Sequence, residues 1–185
     1  MKRMASVGIA VGVALLLLIG YEGLAQVQAY EADKLVGKPA PAISLDLLDG
    51  GKFNLADHKD KNIVVLDFWA TWCPPCRMSM PILVRVLDKY KDKGVVFYAV
   101  NEADEPDSIR AFQKKLDLKF AVALDKDKSV ARKYALEGIP QTVIVGKDGT
   151  VQAVHVGVGP ELDKQLTKEL DTLIAGKKLA EKPKK

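Results

Sequence analysis

The chain has 185 residues, 28 Lys and Arg against 24 Asp and Glu, a formal net charge of +4, and two cysteines. That length, with no internal repeat, leaves room for a short targeting segment and one domain of about 140 residues, and excludes repeat arrays and multidomain chains. The basic residues are spread over mixed-charge faces and a terminal run, Lys177-Lys178 to Lys182-Pro183-Lys184-Lys185, with no aromatic-interleaved basic stripe, which argues against a nucleic-acid partner.

In chain order, Lys2 and Arg3 precede an apolar run from Ala5 to Ile19, followed by polar and small residues through Ala29. This is the order of an export signal. The run is about the minimum for a bilayer span, so two readings stand. Residues 5–19 anchor the chain in a membrane, or residues 1–29 are a signal peptide cut near Gly23-Leu24-Ala25 or Val27-Gln28-Ala29. No cysteine follows the run, which excludes lipid attachment at a cysteine there. Either reading puts the domain in a periplasmic or other extracytoplasmic space, soluble or tethered to the inner membrane, where thiols are oxidised. Residues 30–36 read as a linker, 37–176 as the folded domain, and 177–185 as a basic flexible tail, solvated and frayed.

Pro41 to Leu48 alternates loosely, meets the turn cluster Asp49-Gly50-Gly51-Lys52 and returns as Phe53-Asn54-Leu55, which predicts an N-terminal hairpin. Ile63-Val64-Val65-Leu66 is a continuous apolar run, as a central strand buried on both faces requires. From Met78 to Lys93 the apolar residues Ile82, Leu83, Val86, Leu87 and Tyr90 keep a helical period, with Pro81 predicting a kink and Gly94 the stop. Val95 to Val100 reads as a second buried strand. Asn101 to Asp107 is an acidic loop ending at an N-cap, Asp107 or Ser108, and a helix follows to Leu116 with Ile109, Phe112 and Leu116 on one face. A strand at Phe120–Leu124 and a short helix at Ser129–Tyr134 come next. Thr142–Val145 and Val151–Val156 flank Lys147-Asp148-Gly149-Thr150, a hairpin signal, and the last helix runs from Glu161 to Ala175 before Gly176. The alternation is that of an α/β sheet layered by helices.

The chemistry concentrates in Trp72-Cys73-Pro74-Pro75-Cys76, which follows the apolar strand and opens a helix. A sulfur at a helix N-terminus meets unpaired N–H groups and the positive dipole end, both of which favour the thiolate. Prolines suit the first helical turn, where no intrahelical bond is lost. Cys73 is therefore the candidate attacking sulfur and Cys76, about one turn on, the resolving one. Two other uses of such a pair stand beside this. A structural staple closing so short a loop would stabilise by only about 2 kcal/mol, and a zinc site lacks a second Cys or His pair, since His58 and His155 are far apart. Both histidines read as surface or strand-face residues with no role. Asp67 on the apolar strand is costly to bury without a task or a partner, unless it lies at an edge and turns to solvent.

Asp67-Phe68-Trp69-Ala70-Thr71-Trp72-Cys73-Pro74-Pro75-Cys76-Arg77 resembles the active-site strand and helix start of thioredoxins, and Gly138-Ile139-Pro140-Gln141-Thr142 resembles their cis-proline loop. The Pro-Pro dipeptide, the export signal and Gly37-Lys38-Pro39-Ala40-Pro41-Ala42-Ile43-Ser44-Leu45 resemble the exported TlpA/ResA/DsbE-like branch, over about residues 37–175. The resemblance implies a thioredoxin fold, a central mixed sheet flanked by helices, with an added N-terminal hairpin. It implies a thiol–disulfide oxidoreductase without a tightly bound cofactor that reduces protein disulfides, as in cytochrome c maturation or at copper sites. Its partners would be disulfide-containing clients and a membrane or periplasmic thiol reductant. Asp67 would accept the proton of Cys76. Pro140 would be cis and packed against the disulfide, and Trp72, Pro74, Pro75 and Ile139 would join it in holding the client. The branch also carries an acid beneath the active site, for which Glu102 and Asp104 are candidates beside the reading of a solvated acidic loop. Two rival functions remain. The opening segment also resembles redoxin/peroxiredoxin-like peroxidases, which carry a Thr three positions before the reactive Cys, whereas Thr71 stands two before Cys73. A Cu(I)-binding metallochaperone would use both thiolates as soft ligands, and is discounted for want of nearby Met and His ligands.

Overall fold

Loose alternation before a double glycine folds into a strand pair with one inward face. In the computed structural model, which describes residues 34–136 and 138–180, β1 (Ser44–Asp46) and β2 (Lys52–Asn54) pair antiparallel with Leu45 opposite Phe53, both buried. Gly50 and Gly51 turn the chain at φ of 94° and 82°, a region that residues with a Cβ rarely adopt. The hairpin is that expected from the sequence, although its strands are shorter.

The main sheet follows from β3 (Ile63–Trp69), all of it buried, through α1 (Pro74–Asp88), β4 (Val95–Asn101), α2 (Pro106–Leu116), β5 (Ala121–Leu124), α3 (Ser129–Lys133), β6 (Gln141–Val145), β7 (Val151–Val156) and α4 (Leu162–Ile174). Its order is β5-β4-β3-β6-β7, with β3, β4 and β5 parallel and β6 antiparallel to both β3 and β7. The parallel pairs are joined by helices, as a crossover requires, and the antiparallel pair by a tight hairpin. This is the mixed sheet with flanking helices that the resemblance implied.

Side chains of β3 alternate between two cores. Ile63 and Val65 pack with Leu83, Val86 and Leu87 of α1 and Leu162, Leu166 and Leu170 of α4. Val64, Leu66 and Phe68 pack with Ile43, Phe53, Leu55 and Tyr134 on the other face. A third cluster, at the carboxyl end of β3, joins Trp69, Cys73, Cys76 and Met80 to Ile109 and Phe112 of α2. The hairpin reaches the β5 edge, where Leu48 N donates to Val122 O at 2.9 Å, and so covers backbone that would otherwise be open.

Several sequence expectations are corrected. α1 begins at Pro74, within the cysteine motif as expected, but ends at Asp88 rather than Lys93, and Lys91–Lys93 forms a separate 3-10 turn before Gly94. The middle of β4 is only half-buried, because β5 pairs only with Tyr98–Asn101. α2 starts at Pro106, with Glu105 as a cap that makes no side-chain bond, because proline presets the first helical φ and lacks the N–H that would go unpaired there. Leu116, its last residue, is 36% exposed. The first part of the basic tail is held, not frayed. Lys178 pairs with Asp148 at 2.9 Å, and Leu179 N and Ala180 N donate to the buried Gln152 Oε1. The signal or anchor and the tail beyond residue 180 lie outside the described residues. Among those described, no helix is long and apolar enough to cross a membrane.

Candidate active site

β3 delivers the chain through Ala70-Thr71-Trp72 to Cys73, which is the N-cap of α1 in extended conformation, φ −84° and ψ 109°. Pro74 and Pro75 then occupy the first helical positions. Cys76 N donates to Cys73 Sγ at 3.2 Å, so a free helical N–H points at this sulfur. The two sulfurs are bonded at 2.07 Å with their Cα atoms 5.3 Å apart; the structure is that of the oxidised pair. Cys76 is fully buried and Cys73 only 2% exposed, whereas Trp72 is 64% and Met78 67% exposed beside them. Both cysteines are thus buried, and they differ in their place on the helix, Cys73 at the N-cap and Cys76 inside the first turn.

The loop before β6 meets the pair from the opposite side. The Ile139-Pro140 peptide is cis, as expected. The Ile139 carbonyl oxygen lies 3.6 Å from Cys73 Sγ, a contact in the disulfide and an acceptor for the Cys73 thiol once reduced. Pro140 O is already engaged, accepting from Gly157 N at 2.8 Å. The structure therefore brings Trp72, Cys73, Pro74, Pro75, Cys76, Ile139 and Pro140 together.

Asp67 is no edge residue. It lies on the central strand with no exposure, in register between Ala99 and Thr142. By strand alternation it shares the α1 face with Val65 and Trp69, below the helix that carries Cys76. Thr142 Oγ1 donates to its Oδ1 at 2.8 Å, while Oδ2 has no hydrogen-bond partner among the described residues. Burial pushes the carboxyl up to about 7, and the Thr142 hydroxyl opposes this only in part.

The acidic loop is not solvated as a whole. Glu102 is buried, its N–H donating to Trp69 O at 3.0 Å and its carboxylate facing Lys128 Nζ at 3.4 Å. Asp104 accepts from Thr71 N at 2.6 Å, Thr71 Oγ1 at 3.0 Å and Asn101 Nδ2 at 2.9 Å. The sequence offers Asp104 only as a candidate acid through the resemblance, and its bond to Thr71 is not legible there because the partner is 33 residues away. Both histidines have structural partners. His58 bridges Asn62 and Tyr98, and His155 meets Glu169 at 2.8 Å. No group of three or more His, Cys, Asp or Glu side chains could hold a metal among the described residues. Met80, however, is buried in the cysteine cluster, which corrects the statement that no methionine stands near the pair.

A family model described as the AhpC/TSA family matches residues 36–154. The chain is 37% identical over 157 residues to the thiol-disulfide oxidoreductase ResA of Bacillus cereus, covering 83% of this chain and 89% of that protein. It is 36% identical over 165 residues to the thioredoxin-like protein YneN of Bacillus subtilis, 86% of this chain and 96% of that one. Among solved structures, a protein of Chlorobium tepidum assigned as a thiol:disulfide interchange protein DsbE aligns with a TM-score of 0.69 at 32% identity, covering 75% of this chain and 97% of the other.

Proposed function

The chain belongs to the AhpC/TSA family and is a thiol-disulfide oxidoreductase similar to ResA and DsbE, and on that premise we propose that it reduces protein disulfides outside the cytoplasm. The observation that carries this reading is the asymmetry of the pair: Cys73 caps α1 and accepts the Cys76 N–H, while Cys76 is buried one turn in.

The Cys73 thiolate attacks one sulfur of a client disulfide, breaking that bond and leaving the other client sulfur as a thiolate. Cys76 then loses its proton to Asp67, whose unengaged Oδ2 is the acceptor, and attacks Cys73 Sγ. The second client thiolate leaves. The client has gained two electrons, and the Cys73–Cys76 disulfide has formed at their expense. Trp72, Pro74, Pro75, Ile139 and Pro140 hold the client's segment against the pair, the backbone at Ile139 pairing with an extended strand. A dithiol partner in the membrane or periplasm restores the reduced pair. Clients in cytochrome c maturation fit this role, and residues 1–29 serve as export signal or anchor.

A peroxidase finds less support, because the Thr71 hydroxyl is directed to Asp104. The direction of exchange is tested by titrating the pair against glutathione or dithiothreitol. A potential near that of thioredoxin, roughly −270 mV, is expected; one near that of a strong oxidant, roughly −120 mV, would reverse the assignment. Tight Cu(I) binding by the reduced pair, without exchange activity, would hand the site to the metallochaperone reading.

A further inference from the structure

We infer that Asp104 is a positioning residue for disulfide exchange: through Thr71 it fixes the turn that presents Trp72 and Cys73 to a client. The inference rests on the reading of Cys73 as the attacking thiol. Asp104 lies in the loop between β4 and α2, yet both of its oxygens are committed to the segment leading into the cysteine pair. Oδ2 accepts the Thr71 N–H at 2.6 Å and Oδ1 the Thr71 hydroxyl at 3.0 Å. Asn101 holds the carboxylate in place from behind. Its Nδ2 donates to Asp104 Oδ2 at 2.9 Å, and its Oδ1 accepts Asp104 N at 3.0 Å. Asn101 is itself fully buried and in register with Trp69, the last residue of β3. The ends of two neighbouring strands are thereby locked, and Asp104 extends the lock to the turn beyond β3.

A second observation points the same way. Ala103 has φ of 61°, a left-handed conformation that a residue with a Cβ adopts only under constraint. The neighbouring bonds hold this strained residue where it aims the next carboxylate at Thr71. Only Trp72 separates Thr71 from Cys73, so freedom at Thr71 passes directly into the N-cap geometry in which Cys73 Sγ receives the Cys76 N–H.

A carboxylate close to a thiol would by its charge alone disfavour the thiolate, whereas a carboxylate that holds the N-cap in place favours it. The two roles have opposite signs, which makes the test decisive. In the full chain, reduced, the thiolate absorbance of Cys73 is titrated, and alkylation of each cysteine is followed by mass. For positioning, Asp104→Asn and Asp104→Ala raise the Cys73 pKa and slow its alkylation at pH 7 about tenfold. Thr71→Ala, which keeps the backbone bond, has a smaller effect in the same direction, and Thr71→Ser restores wild-type behaviour. The double variant Thr71→Ala/Asp104→Ala is no worse than Asp104→Ala alone, as a shared interaction requires. If the Asp104 variants fail to fold, the contrast between Thr71→Ala and Thr71→Ser carries the test alone. A lowered Cys73 pKa in Asp104→Asn with Thr71→Ala silent, or no change in any variant while Cys73 is the faster-labelled sulfur, overturns the inference and leaves the site reading standing. Faster labelling of Cys76 in the wild type overturns the site reading and this inference with it.

Discussion

A carboxyl without exposure and with one donor pays heavily for its charge, and Asp67 is that residue. Its raised value, about 7, sets two expectations of different sign. For catalysis, the rate of disulfide reduction should climb as pH rises through about 7, because only the ionised carboxyl accepts the Cys76 proton. Asp67→Asn should remove that inflection and slow the reaction, and equal rates for both proteins from pH 6 to 9 would take Asp67 out of the mechanism. For stability, the folded pKa lies above the unfolded one, near 4. Between the two the unfolded chain ionises first, so stability falls as pH rises, and the full cost, on the order of 4 kcal/mol, is present above about 7. Thermal unfolding of Asp67→Asn should therefore move above that of the wild type as pH goes from 4 to 8. A gap that stays constant would refute the assignment of burial as the cause. At the same scale, the place of Cys76 inside the first turn, behind Cys73 at the N-cap, predicts that Cys76→Ser accumulates mixed disulfides with clients, released by reductant and identifiable by mass. Cys73→Ser should trap far fewer.

Among the elements, α1 carries the chemistry because its first turn is built from residues that suit a helix start. A side chain that accepts at the N-cap and two prolines leave one helical N–H free for sulfur. The β6–β7 hairpin shows the same agreement between residue and backbone. Gly149 has φ of 75°, and a Cβ built there meets nothing closer than the Lys59 side chain at 3.9 Å. Gly149→Ala is expected to destabilise by about 1 kcal/mol through backbone strain alone. A lower denaturant midpoint with an unchanged slope would show it, and a wild-type midpoint would contradict it. Nearby, Gln152 receives two N–H groups of the chain after α4. Gln152→Leu should release residues 177–180, read as faster tryptic cleavage after Lys177 and Lys178 with little change in melting temperature.

For the whole molecule, the parallel strands β3 and β4 bring their carboxyl ends to one edge, where the cysteine turn and the Asn101 loop meet. Ligand sites of open α/β sheets arise at such edges, because helix starts and loop backbones converge there. The proposed export belongs to this scale too. The 185-residue chain, when expressed, is expected outside the cytoplasm, beginning after residue 25 or 29 if the proposed signal is cut and at Met1 if it is retained. Retention in the cytosol would remove the extracytoplasmic reading.

What the sequence by itself determined is local in origin. The period of the apolar residues predicted the strands and helices, the glycines and Asp148-Gly149 the turns, and Cys73-Pro74-Pro75-Cys76 the helix start and the sulfur pair, because each of these signals lies within a few residues. The cis bond at Pro140 was legible only through the resemblance. The tertiary structure decided what depends on distant partners. Asp67 has its titration set by the helices and strands that exclude water from it, and by Thr142 on β6. The loop between Asn101 and Glu105 reads as solvated until parallel pairing of β3 with β4 sets Asp104 against Thr71. The basic tail reads as free until Gln152, buried on β7, takes up its backbone. In each case the deciding energy is the cost of leaving a buried polar group unpaired or charged, and that cost exists only once the chain has closed around the group.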